Sequence, residues 1–215
     1  MSFQSSILNF FLKKFIKNTK PSPDLYSYED MRDLMNDSFE MEKKNFFEKL
    51  IIRSTFSNKK SNIESSEVFL DNIRTLKITR NDSQKDKCIL YFHGGGYVAG
   101  SPETHLNLLK EIYKNSRITI FAVDYSLSPE SKFPLALNEA VRSYNALRDL
   151  GYKAKNIIIG GDSAGGNLSL VCTLKLQEDL IEMPSKLFLL SPWTDLTASG
   201  ESISSNSVYD PYLSY

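Results

Sequence analysis

Histidine is the scarcest acid–base residue in this chain. Of 215 residues only His93 and His105 carry an imidazole, and none follows position 105. A histidine base supplied from the second half of the sequence is thereby excluded. Cysteine is equally sparse. Cys88 and Cys172 each sit inside an apolar stretch, which fits buried, inert thiols rather than a disulfide framework, and nothing demands an oxidising compartment. Net charge is missing altogether: 26 basic residues balance 26 acidic ones, so no basic field is available to nucleic acid. Long hydrophobic runs are absent too. The apolar stretch from Ser6 to Ile16 is broken by Lys13 and Lys14. It falls short of the ~20 residues that span a bilayer, and its charges stand at the wrong end for a signal peptide. No repeat, metal-ligand cluster or nucleotide-binding motif occurs, so no metal, cofactor or nucleic-acid partner is expected, and the expected location is cytoplasmic.

What is present is a globular composition, 41% hydrophobic with 13 Phe and 11 Tyr, in a length that suits one sizeable domain. The first 55 residues read as helices. Phe3, Ile7, Phe10, Phe11 and Phe15 gather on one side of an amphipathic start, which suits a cover for the domain or a peripheral contact with a membrane surface. After a break at Pro21-Ser22-Pro23, Met31, Leu34, Met35, Phe39, Phe46, Phe47 and Leu50 recur at helical spacing. A polar linker runs from Ser57 to Ser66. Residues 1–66 are therefore a helical lid with its linker, and residues 67–215 the core.

From Glu67 the period changes. Val68–Leu70 and Ile73–Thr79 read as strands joined through Asp71-Asn72, and Asn81 to Lys87 as a turn. Strands and helices then alternate: strand Cys88–Phe92, helix Thr104–Asn115, strand Ile118–Val123, helix Leu135–Leu150, strand Asn156–Ile159, helix Gly166–Glu178 and strand Leu187–Leu190. Continuous apolar strands between helices imply an α/β fold, a mostly parallel sheet covered on both faces. Leu137, Ala140, Val141, Tyr144 and Leu147 face the core from the helix that Gly151 stops.

Two glycine-rich motifs close apolar runs. His93-Gly94-Gly95-Gly96 follows one, and Gly160-Gly161-Asp162-Ser163-Ala164-Gly165-Gly166 follows another. The second contains G-x-S-x-G between a strand and a helix, the elbow that exposes a nucleophilic serine. Gly161 and Gly165 allow the close approach that such a turn needs, and the helix N-terminus faces developing negative charge. Ala164 offers a backbone N–H to an oxyanion, and the Gly94–Gly96 run offers others, without the sequence choosing among the three. Asp162 and Asp124 are expected to hold loops by hydrogen bonds.

The motifs His93-Gly94-Gly95-Gly96-Tyr97 and Gly161-Asp162-Ser163-Ala164-Gly165-Gly166 resemble the hormone-sensitive-lipase family of α/β hydrolases. Val123–Glu130, Phe133-Pro134 and Ser191–Leu196 agree with the same pattern. The resemblance implies an α/β-hydrolase fold whose N-terminal helices cap the acyl pocket, and hydrolysis of short-chain or aryl carboxylic esters without metal or cofactor. It makes Ser163 the nucleophile and Gly94, Gly95, Gly96 and Ala164 the oxyanion hole, supported by His93, Gly161, Asp162 and Gly165. It also implies a triad acid and histidine after two further strands, which this sequence lacks, so the chain reads as truncated with the last strands missing. His93 and His105 fill positions that the family does not use as a base, and Asp195 suits loop structure better than a migrated triad acid. The expectation is a weak or inactive esterase whose Leu187–Leu190 strand is an open edge, prone to self-association. The alternatives are a small-molecule-binding relative without catalysis, as in the plant gibberellin receptors that resemble this family, or a degenerate fragment.

Overall fold

The structure is a computed structural model describing residues 32, 33, 36, 37, 63–197 and 199–206. The amphipathic start, the Pro21–Pro23 break and most of the lid lie outside these residues. The chain divides into two compact units, Met31–Trp193 and a second made of Met1–Asp30 with Thr194–Tyr215.

The first unit is built on a six-stranded sheet, and the family expectation of an α/β-hydrolase architecture holds. Strands β1 (Glu64–Leu70), β2 (Ile73–Thr79), β3 (Gln84–Phe92), β4 (Ile118–Val123), β5 (Ile157–Asp162) and β6 (Lys186–Leu190) lie in the order β1-β2-β4-β3-β5-β6. β1 and β2 form a hairpin, with Asp71 and Asn72 at φ 48° and 63°. Positive φ at both central residues is the geometry that joins twisted strands through two residues. β2 runs antiparallel to β4, while β4, β3, β5 and β6 are parallel.

Among the described residues three long helices cover this sheet: α1 (Leu106–Ser116), α2 (Leu135–Asp149) and α3 (Ser163–Glu178). One face packs Leu90, Phe92, Phe121, Val123, Ile157 and Ile159 against Ala140, Tyr144 and Leu147 of α2 and Leu168, Cys172 and Leu176 of α3. The other packs Ile78, Ile89, Tyr91 and Ile120 against Leu109 and Tyr113 of α1. Each fully buried Leu or Ile contributes about 1.5–3 kcal/mol, so the two faces are the main stabilising term. At the end of α2, Gly151 at φ 96° lets its own N–H reach Arg148 O and the Tyr152 N–H reach Leu147 O. That paired arrangement satisfies carbonyls the helix would leave open.

Three sequence expectations shift at their boundaries. β1 begins at Glu64, inside the stretch read as linker, because its polar first residues, Glu64 to Ser66, are exposed and enter the sheet by backbone pairing with β2. β3 begins at Gln84, inside the expected turn; its polar first residues are solvent-facing, and the register slips between Gln84 and Cys88. β5 continues through Gly160 and Gly161 to Asp162, since Phe188 and Leu189 of β6 pair with those glycines. α3 accordingly begins at Ser163 itself. In the second unit the described residues include a short helix, α4 (Glu201–Ser205). Among the described residues no helix is long and apolar enough to cross a membrane.

Candidate active site

Because β3, β5 and β6 are parallel, their C-terminal ends share one rim, where α/β sheets place their ligands. Phe92 pairs with Gly161, so the loop leaving β3 and the turn leaving β5 start side by side. Ser163 opens α3 at φ 51°. A non-glycine residue held there is strained by about 1 kcal/mol, and such strain persists only where surroundings over-determine it. The surroundings are visible. A Cβ on Gly165 would overlap the carbonyl oxygens of Phe92 and His93, and one on Gly161 would overlap those of Phe92 and Gly165. Only glycine lets strand and helix approach this closely. The carbonyl of Ser163 accepts from Trp193 N–H at 2.9 Å, fixing the turn from the β6 side.

The loop after β3 is a tight turn with Gly95 at φ 125°, Gly96 at 63° and Tyr97 at 64°. Gly95 O accepts from both Val98 N–H and Ala99 N–H, at 3.0 and 2.9 Å. Tyr97 OH donates to Asn167 Oδ1 of α3 at 2.6 Å. Of the three glycines, Gly94 gives its N–H to Asp162 Oδ1 at 3.0 Å. Among the described residues, the N–H groups of Gly95 and Gly96 have no such acceptor.

Both histidines are buried and hydrogen-bonded within the interior. His93 is buried, stacked on Tyr125 at 4.3 Å, with Nδ1 bonded to Gly94 O at 2.7 Å. Burial lowers its pKa to about 4, so the ring is neutral at pH 7. Nδ1 then carries the proton and donates. Its Nε2 is buried without a hydrogen-bond partner. His105 is buried at the foot of α1, with Nε2 3.3 Å from Asp162 Oδ2 and Nδ1 3.2 Å from Ser101 O. Asp162 also accepts from Tyr91 OH at 2.7 Å. Burial raises its pKa, but the hydrogen bonds from His105, Tyr91 and Gly94 outweigh that and hold it below the ordinary carboxylate value. Asp195, in the second unit, accepts from the N–H and hydroxyl groups of Thr197 and Ser199 at 2.6–3.0 Å and organises its own turn.

Some supporting residues carried no sequence signal. Arg32 donates Nε to Val98 O, Nη2 to Ser128 O, and both terminal nitrogens to Glu130, all at 2.6–2.7 Å. Asn36 Oδ1 accepts from Gly100 N–H. Arg74 joins Glu67, Glu103 and Asp124 at 2.5–2.9 Å. Apart from Glu67, which is across the β1–β2 hairpin from Arg74, these partners lie tens of residues away, and no spacing rule links them. Cys88 and Cys172 are buried, and burial pushes both thiols up to about 12, so neither is a nucleophile at neutral pH. Among the described residues no group of His, Cys, Asp and Glu is placed to hold a metal ion.

The family model described as alpha/beta hydrolase fold matches residues 89–214. The chain belongs to the α/β-hydrolase family. Within this family it is similar to an esterase of Acinetobacter venetianus, 40% identical over 126 residues, 59% of this chain and 42% of that protein. It is similar also to the hormone-sensitive lipase of Mus musculus, 35% identical over 129 residues, 58% of this chain and 17% of that one. Among solved structures, a hormone-sensitive lipase from a metagenome library superposes with TM-score 0.82 at 31% identity, covering 98% of this chain and 64% of its own. An esterase of the bacterial hormone-sensitive lipase family superposes with TM-score 0.81 at 27% identity, covering 100% of this chain and 65% of its own. The resemblance to the hormone-sensitive-lipase family is thus shown, and these matches span less than half the length of the two curated relatives.

Proposed function

We propose that this α/β hydrolase carries the nucleophile and the oxyanion hole of a carboxylic ester hydrolase for short-chain or aryl esters. The observation that carries the reading is the strained turn at Ser163, set beside a glycine loop with unengaged N–H donors. In this reading Ser163 Oγ attacks the ester carbonyl carbon. The carbonyl oxygen takes the negative charge and is met by the N–H groups of Ala164, Gly95 and Gly96. Collapse expels the alcohol, which takes up a proton, and leaves an acyl group on Ser163 that water then removes.

The proton on Ser163 needs an acceptor, and both histidines are engaged elsewhere. Acyl transfer by these 215 residues alone therefore rests on the oxyanion hole and binding, a residual of about 10³–10⁴-fold over water. The expected outcome with p-nitrophenyl acetate is slow acetylation of Ser163, seen as an added acetyl mass on a Ser163 peptide, with weak or no turnover. Ser163→Ala abolishes the adduct. An adduct that survives Ser163→Ala would overturn the reading. Ligand binding with no adduct at all would favour the non-catalytic alternative.

A further inference from the structure

We propose that Asp162 is a positioning residue that couples the serine turn to the oxyanion loop, an inference that rests on Ser163 being the nucleophile. Asp162 occupies the N-cap position of α3, where an aspartate ordinarily accepts from the N–H groups of the first helical turn. It makes no such bond. Its carboxylate turns away and accepts from three donors on other elements: Tyr91 OH of β3, Gly94 N–H of the oxyanion loop, and His105 Nε2 before α1. Two things follow from that choice. The N–H groups at the start of α3 stay open for a substrate oxyanion, and the loop that supplies the other donors is tied to the residue next to the nucleophile.

Gly94 shows that the two residues fit each other. Gly95 and Gly96 have positive φ, and Gly94 does not. Its lack of a side chain answers to Asp162 instead, because a Cβ there would overlap the carboxylate at Oδ2. The other side of the loop is held independently, by Tyr125 OH on His93 O at 2.6 Å and by His93 Nδ1 on Gly94 O. Removing the Asp162 charge therefore shifts the loop without dismantling it.

The test compares wild type with Asp162→Asn in two measurements on the whole chain. One is hydrogen exchange of the peptide spanning residues 93–100. The other is the rate at which a fluorophosphonate labels Ser163, read by intact mass. Because the Asp162 side chain makes no cap bond, the substitution removes no cap from α3. The expected result is exchange at least tenfold faster in residues 93–100 alone and labelling at least tenfold slower. His105→Gln, which retains an N–H for Oδ2, stays within threefold of wild type on both. If Asp162→Asn does not fold, Gly94→Ala displaces the carboxylate and gives the same two effects. Unchanged exchange in residues 93–100 overturns the proposal, as does an increase spread equally through β3 and β5, the mark of a merely structural role. A wild type that takes no label, with the loop still loosened in the variant, overturns the nucleophile reading and leaves the coupling as a structural fact.

Discussion

Strands β3 and β6 end in equally apolar sequences, yet they have opposite fates. Cys88–Phe92 is buried at every position, whereas every residue of Lys186–Leu190 is half-buried or exposed, with Leu190 39% exposed. β3 has β4 on one side and β5 on the other, while β6 pairs only with β5 among the described strands. Hydrophobicity made both segments strands; neighbours alone decided how much each contributes to stability. Reading a leucine as core is therefore a statement about what flanks it.

The sharpest way to break this comparison is to delete the same atoms from both strands. Leu90→Ala is expected to cost about 2–5 kcal/mol and Leu190→Ala less than about 1 kcal/mol, measured as urea midpoints. Equal losses would mean that β6 is as well packed as the centre.

A second test uses His93, which directly follows β3 and shares its burial. Its folded pKa of about 4 lies below the ordinary 6.5, so between those values the unfolded chain binds more protons. Stability is then full above pH 6.5 and falls as pH drops towards 4, by about 3 kcal/mol. His93→Asn, which keeps an N–H near the Nδ1 position, should flatten that slope. A wild type equally stable at pH 7 and pH 4.5 would refute it. Asp162, whose pKa is also lowered, acts in the same direction but only below about 3.8, so the two windows separate. The smallest expected effect lies at the end of β5, between the two strands. Ser163→Gly relieves the φ of 51° and should raise stability by about 1 kcal/mol. A loss on that substitution would show that the turn is unstrained.

The sequence was most legible where a local rule governs structure. Continuous apolar runs and helical periodicity located the six strands and three covering helices, because burial on both faces leaves an unbroken apolar strand and burial of one face a periodic helix. The Asp71-Asn72 turn was visible because few residues tolerate positive φ in succession. The serine turn was visible through Gly161 and Gly165, whose missing side chains have a steric reason. Glycine also concealed structure, since Gly160 and Gly161 read as loop and are strand. What could not be read were the long-range polar contacts. Nothing near Arg32 announces Glu130, and nothing in Tyr91 distinguishes a phenol aimed at Asp162 from a purely apolar ring. The distribution of duties among Gly94, Gly95 and Gly96 is similarly a matter of where one carboxylate points.

Arg32 has a consequence for the order in which the molecule is assembled. It meets Val98, Ser128 and Glu130 across 66, 96 and 98 residues of chain. Synthesis delivers Arg32 first; Val98 arrives after β3, and Ser128 and Glu130 only after β4. Closing so long a loop is slow relative to local helix and hairpin formation. The clamp on the turn that carries Gly95 and Gly96 is thus complete only once the chain has been made through Glu130, and it joins segments that share no local structure.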